Sequence, residues 1–278
     1  MVPLPTSHLR AVRGTPDQRR RWARAIETST LANLTVLKRS DTVSVYAATL
    51  DGQAVILKCW ALRSLAHRAY AHLRTTRGSR QWRGTRRLRD IGVPAPACLT
   101  LLHGRSPAGP VEVLVMQRLD GRTLLDHLAS PTLPVRAQHR LAEDLARACA
   151  SMAQAGWFTR DPKPSNFMVV PANEPGAANS QCTVAVLDSV AIRPLPPHRR
   201  HALGVPLERL VLEAIGVSCP PRRTLIARFI AAWAAAWPQE SPAADARRTR
   251  RRVWHEIQRR VAAADDPTPA DNPLAPVA

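Results

Sequence analysis

Short apolar runs bounded by turn residues, and apolar positions recurring at helical spacing, divide the chain between them. VSVYAATL (43–50) and QAVILKCW (53–60) read as two strands joined by a hairpin turn at Asp51-Gly52. CLTLLH (98–103) and VEVLVMQRL (111–119) predict a second hairpin, with its turn over Gly104–Pro110. A third pair, FMVV (167–170) and VAVL (184–187), flanks a Pro/Gly/Asn/Ser-rich connection over residues 171–181. Helical spacing governs the other segments. Thr15, Pro16 and Gln18 supply an N-cap, a first-turn proline and a capping-box partner for a helix over 15–27, with Trp22, Ala25 and Ile26 on one face. Residues 62–91 read as helix broken around 75–78, and 123–128 as the start of a short helix. Leu141, Leu145, Ala148 and Met152 stripe a helix over 135–155, and Leu225, Phe229, Trp233 and Trp237 one over 221–237. Helices are expected also over 206–216 and 242–263, whereas the Pro/Ala/Asp-rich residues 265–278 read as disordered.

These strands and helices together describe an α+β chain, and 278 residues suffice for two lobes with a core. The expected divisions are an N-terminal helical extension (1–33), a strand-rich lobe (34–118), a helical lobe (119–264) and the tail (265–278). Five cysteines stand singly, without a C-x-x-C pair, so the reading is reduced thiols and no zinc site. The first residues lack an apolar leader and no window is long enough to span a bilayer, which gives a cytoplasmic expectation.

Charge narrows the partners. A net charge of +19 calls for an anionic partner: nucleic acid, an acidic membrane surface or a phosphorylated substrate. With two Tyr and three Phe the chain is poorly supplied for stacking single-stranded bases, which disfavours nucleic acid. Nine arginines between residues 62 and 91 form either a face for phosphorylated sugars and lipid headgroups or a solvated helix surface. Of 40 basic residues only Lys38, Lys58 and Lys163 are lysine, which marks places where a compact ammonium suits better than a guanidinium fork.

Chemistry concentrates in Thr159-Arg160-Asp161-Pro162-Lys163-Pro164-Ser165-Asn166. An acid at 161, a cation at 163 and an amide at 166 are the groups phosphoryl transfer needs: a proton acceptor, a counter-charge and a metal ligand. Asp188 ends the strand VAVL, and the predicted hairpin carries it back towards Asn166, completing a metal pair. The alternative for Asp161 and Asn166 is turn capping in a Pro-rich loop.

TRDPKPSNF resembles the protein-kinase catalytic loop HRDLKPSN, with Thr159 and Pro162 in place of its His and Leu. Together with residues 37–58, the pattern W-x(5)-L-x(3)-G-V-P-x-P within 79–99, and VAVLDSVAIRP (184–194), the chain resembles the Kdo/WaaP family of lipopolysaccharide kinases. The resemblance implies a bilobal protein-kinase-like fold, with a small antiparallel-sheet N-lobe and a mainly helical C-lobe. It also implies a kinase that uses ATP and Mg²⁺ to phosphorylate a sugar hydroxyl, on the lipopolysaccharide inner core (Kdo or heptose) or a similar anionic glycolipid. Peripheral contact with the inner face of the membrane would follow. In that scheme Asp161 and Lys163 are catalytic, and Asn166 and Asp188 hold the metal. Lys58, on a strand reading AVILK, meets the nucleotide phosphates, Ser40 lies in the turn covering them, and Met116 belongs to the hinge Val115–Leu119 against the adenine.

The sequence departs from the kinase pattern in the small lobe. No Glu occurs between Glu27 and Glu112, so the helix acid that steadies the strand lysine is missing, and Gln81 stands at its place. The phosphate-covering turn Lys38–Thr42 has no glycine. These departures raise a second reading, a pseudokinase that binds nucleotide or a partner without catalysis. The segment after Asp188 is short, Pro-rich and without A-P-E, which favours a small-molecule or glycolipid acceptor over a protein.

Overall fold

The computed structural model describes residues 7–27, 34–62, 75–130, 132–171, 182–196 and 204–238, with Arg251 and His255. The expectations for a helix over 63–74, the connection 172–181, most of the helix over 242–263 and the tail lie outside the described residues. The chain divides into two compact units, Met1–Arg87 with Pro96–Leu119, and Leu88–Ala95 with Asp120–Ala278.

The first unit is a six-stranded antiparallel sheet in the order β1-β5-β6-β4-β3-β2. Its strands are β1 (Ser7–Arg13), β2 (Leu34–Arg39), β3 (Val43–Leu50), β4 (Gln53–Ala61), β5 (Cys98–Ser106) and β6 (Gly109–Gln117). The β3–β4 turn is the expected one: Asp51 (φ 50°) and Gly52 (φ 72°) are both left-handed, as a two-residue turn matched to strand twist requires. The β5–β6 turn is tighter than the sequence suggested. Ser106 already pairs with Gly109, so only Pro107 and Ala108 remain outside the ladder. Alternation sorts the sheet into two faces. Tyr46, Val55, Leu57, Cys59, Val113 and Val115 form one buried cluster, and Trp60, Leu101, Leu114 and Met116 the other.

Helix α1 (Pro16–Glu27) begins with the anticipated capping box: Gln18 N donates to Thr15 Oγ1 (3.3 Å) and Thr15 N to Gln18 Oε1 (3.0 Å). Its Trp22 and Ile26 sink into the first cluster. Ser7–Arg13, read from sequence as part of a helical extension, is instead a strand paired with β5, because it completes a ladder no local pattern announces. Helix α2 (Arg77–Asp90) ends where Gly92 turns left-handed (φ 74°).

The second unit is mainly helical. It contains α3 (Leu124–Ala129), α4 (Val135–Gln154), α5 (Gly204–Gly216) and α6 (Arg223–Ala235). Leu141, Leu145 and Met152 of α4 share one core with Phe229 and Trp233 of α6 and with Trp237 just beyond it, positions of the stripes seen in the sequence. Short strands carry the loop that matters. β9 (Phe167–Pro171) pairs with β10 (Cys182–Val186) and with β7 (Arg122–Thr123), while β8 (Trp157–Thr159) pairs with β11 (Ile192–Pro194). Gly121 is required by a close approach: a Cβ there would lie 2.2 Å from the Val169 carbonyl oxygen. Among the described residues no helix is long and apolar enough to cross a membrane.

Candidate active site

In the second unit, residues 160–166 leave β8 and enter β9 through a single 3-10 turn, Pro164–Asn166. Pro162 and Pro164 hold the segment out of regular structure. Both ends are fixed by backbone bonds, since Arg160 N donates to Ala191 O (3.1 Å) and Asn166 N to Lys163 O (2.9 Å). This scaffold gathers the predicted loop residues around one carboxylate. Asn166 Nδ2 donates to the Asp161 carbonyl (2.9 Å) and to Asp161 Oδ2 (3.2 Å). Lys163 Nζ lies 3.5 Å from Asp161 Oδ1. Asp161 is 36% exposed on its side chain, so one edge faces solvent.

Asp188 arrives as the hairpin reading anticipated. Val186 pairs with Phe167 and Leu187 N donates to Asn166 O (2.8 Å), which sets Asp188 next to Asn166's strand end. Asp188 Oδ1 accepts from Val190 N (3.0 Å), which fixes its rotamer and leaves Oδ2 without a hydrogen bond among the described residues. With Nδ2 turned to Asp161, the Asn166 amide keeps its oxygen for another partner. A carboxylate oxygen and an amide oxygen fit a hard cation such as Mg²⁺, which keeps several waters and few protein ligands. Among the described residues no three His, Cys, Asp or Glu side chains converge on a metal position.

Two residues that sequence reasoning missed come from α5. Glu213, 3% exposed, accepts from Ser165 N (2.9 Å) and Ser165 Oγ (2.6 Å), pinning the loop between Lys163 and Asn166. Four residues earlier, Arg209 Nη1 lies 3.6 Å from Asp161 Oδ1, with 48% of its side chain exposed. Their i, i+4 spacing on one helix was visible, but its partner lies 48 residues away in sequence.

The first unit holds the other candidates. Lys58 Nζ donates to Gln81 Oε1 (3.2 Å), the pairing expected of the residue standing in for the kinase Glu. Gln81 is fully buried, and its Nε2 reaches Met116 Sδ at 3.7 Å. Met116, 2% exposed, therefore has its side chain turned into the core beside α2. Ser40 Oγ donates to Val43 O and accepts from Val43 N (both 3.1 Å), so its hydroxyl closes the β2–β3 turn that has no glycine.

A stretch of 89 residues, 31% of the chain, is 36% identical to the serine/threonine-protein kinase PknB of Mycobacterium tuberculosis and of Mycobacterium bovis, and spans 14% of those proteins. Among solved structures, WaaP in complex with acyl carrier protein superimposes with a TM-score of 0.60 at 18% identity, over 92% of this chain and 99% of that one. The likeness places the fold among kinases, with an antiparallel-sheet lobe and a helical lobe. The profile of the lipopolysaccharide kinase (Kdo/WaaP) family matches residues 38–193, from the β2–β3 turn through the Asp161 loop to the strand after Asp188, and to this family the chain belongs.

Proposed function

We propose that the chain transfers the γ-phosphoryl group of ATP to a hydroxyl of an anionic sugar, on the lipopolysaccharide inner core (Kdo or heptose) or a similar glycolipid. The observation that carries the reading is the cluster at Asp161, where Lys163 and Arg209 approach one carboxylate oxygen and Asn166 binds the other. Asp161 orients the acceptor hydroxyl and takes its proton as the new O–P bond forms and the bond to the ADP leaving oxygen breaks. Lys163 offsets charge on the transferring group. Asn166 and Asp188 hold Mg²⁺, which supplies charge compensation at the nucleotide phosphates when bound. Lys58, steadied by Gln81, meets the nucleotide phosphates, and the turn closed by Ser40 lies over them. With Lys163 already beside Asp161, Arg209 brings a second positive charge where one carboxylate balances only one. It is suited to an acceptor bearing its own carboxylate or phosphate.

The second reading is a pseudokinase, favoured by the amide at position 81 where kinases use an acid. An amide oxygen holds an ammonium more weakly than a carboxylate does, yet every group at the reacting centre is present. Incubation with γ-labelled ATP, Mg²⁺ and purified lipopolysaccharide separates the two, run beside Asp188→Asn. Label in lipopolysaccharide that disappears in the variant is the expected result. Nucleotide binding without transfer to sugar, lipid or protein would establish the pseudokinase.

A further inference from the structure

The first unit contains a fully buried carboxylate that the proposed reaction does not use. Glu112, on β6, is 0% exposed and, among the described residues, has no Lys or Arg as a hydrogen-bonding partner. Those partners are the Thr76 hydroxyl, which donates to Oε1, the Gly78 backbone N–H, which donates to Oε2 at 2.8 Å, and His103 Nε2, 3.2 Å from Oε1 on the neighbouring strand. An ionisable side chain buried this deeply is costly unless its hydrogen bonds do something a Leu could not.

What they do is fix the start of α2. The first amides of a helix have no partners within it, and the positive end of the helix dipole favours an acid nearby. Thr76 caps α2 by accepting from Ser79 N (3.2 Å) while donating to Glu112, and Gly78 N is satisfied by Glu112 directly. The fit is close: a Cβ on Gly78 would stand 2.6 Å from Leu101 Cδ1 and 2.7 Å from Glu112 Oε2. One turn further along the helix is Gln81, which meets Lys58 and Met116.

We infer that Glu112 is a positioning residue: its carboxylate clamps the first turn of α2 to the β5–β6 hairpin, so that Gln81 is held on Lys58 without an activating event. Kinases that regulate this contact do so by moving the helix and ordering an activation segment. Here the helix is tied to the sheet by a buried acid. The clamp also explains how an amide suffices at position 81, because a weaker contact is maintained by a helix that has no freedom to swing away.

The inference rests on the proposed role of Lys58 in nucleotide binding, and the test separates the two. Affinity for a fluorescent ATP analogue, melting temperature and hydrogen–deuterium exchange over residues 79–90 are measured for wild type, Glu112→Gln, Thr76→Val, Thr76→Ser and Lys58→Ala. Glu112→Gln and Thr76→Val are expected to weaken nucleotide binding about five- to tenfold and to speed exchange in α2, while Thr76→Ser, which keeps the hydroxyl, stays within about twofold of wild type. Affinity and α2 exchange unchanged in Glu112→Gln and Thr76→Val would overturn the clamp. So would a fall in melting temperature shared by all three clamp variants with nucleotide affinity intact. If Glu112→Gln does not fold, the Val and Ser variants decide by themselves. Lys58→Ala binding nucleotide as wild type would remove the role assigned to Lys58, and the exchange data would then judge the clamp independently.

Discussion

At the scale of single residues, the contrast between lysine and arginine is the most informative. The chain uses arginine for 37 of its 40 basic positions yet keeps lysine at 58 and 163. Lys58 Nζ donates to the Gln81 amide oxygen in a partly buried site, where a guanidinium fork has a longer reach and a different geometry. Lys58→Arg is therefore expected to lower kcat/KM at least about tenfold, a loss of about 1.4 kcal/mol in transition-state stabilisation, in steady-state assays with ATP varied. The thiols give a second expectation. Burial pushes Cys149 up to about 12 and raises Cys59 further, so both stay protonated through the neutral range. Iodoacetamide at about pH 8 should leave these two unmodified in the native protein and label them only after unfolding, read by mass spectrometry of tryptic peptides. His127 is shifted the other way. Burial, then the Arg122 cation, lowers its pKa, partly opposed by Asp126. A His that is harder to protonate when folded adds stability that is intact above its unfolded value near 6.5 and is lost as the pH falls below it. Replacing His127 with Gln should flatten the fall in melting temperature between about pH 7 and pH 5 relative to wild type.

At the scale of elements, the parts legible in the sequence were those whose signals are local. The capping box at Thr15 and Gln18, the Asp51-Gly52 turn and the stripe from Leu141 to Met152 each lie within one element, and each appears where the pattern placed it. The clustering of Asp161, Lys163 and Asn166 was legible for the same reason, since all three lie within six residues of one loop. What the sequence did not disclose depends on long-range partners. β1 is a strand because β5 offers it an edge, and Glu213 matters because Ser165 comes to meet it. The buried Glu213 contact predicts that Glu213→Gln keeps the fold but loosens the loop. Faster exchange at the Ser165 amide and a fall in turnover of about ten- to a hundredfold are expected. Gly121→Ala should cost about 1–3 kcal/mol in chemical denaturation, because the Cβ meets backbone at Val169 rather than a side chain that can give way.

At the scale of the whole molecule, a kinase fold has been fitted with a short list of changes: no glycine in the β2–β3 turn, an amide in place of the helix acid, and a buried Glu112 bonded to the start of that helix. A net charge of +19 accompanies them, and binding to vesicles containing anionic lipid, falling as salt is raised, is the expected behaviour in sedimentation assays. The central claim is that Asp161 is the base of a phosphoryl-transfer centre, and single-turnover transfer from γ-labelled ATP to lipopolysaccharide by wild type and Asp161→Asn tests it most directly. The expected result is a loss of about a thousandfold or more in the transfer rate, with nucleotide affinity within about twofold of wild type. Transfer by Asp161→Asn at close to the wild-type rate would contradict the assignment of this loop as the centre of the reaction.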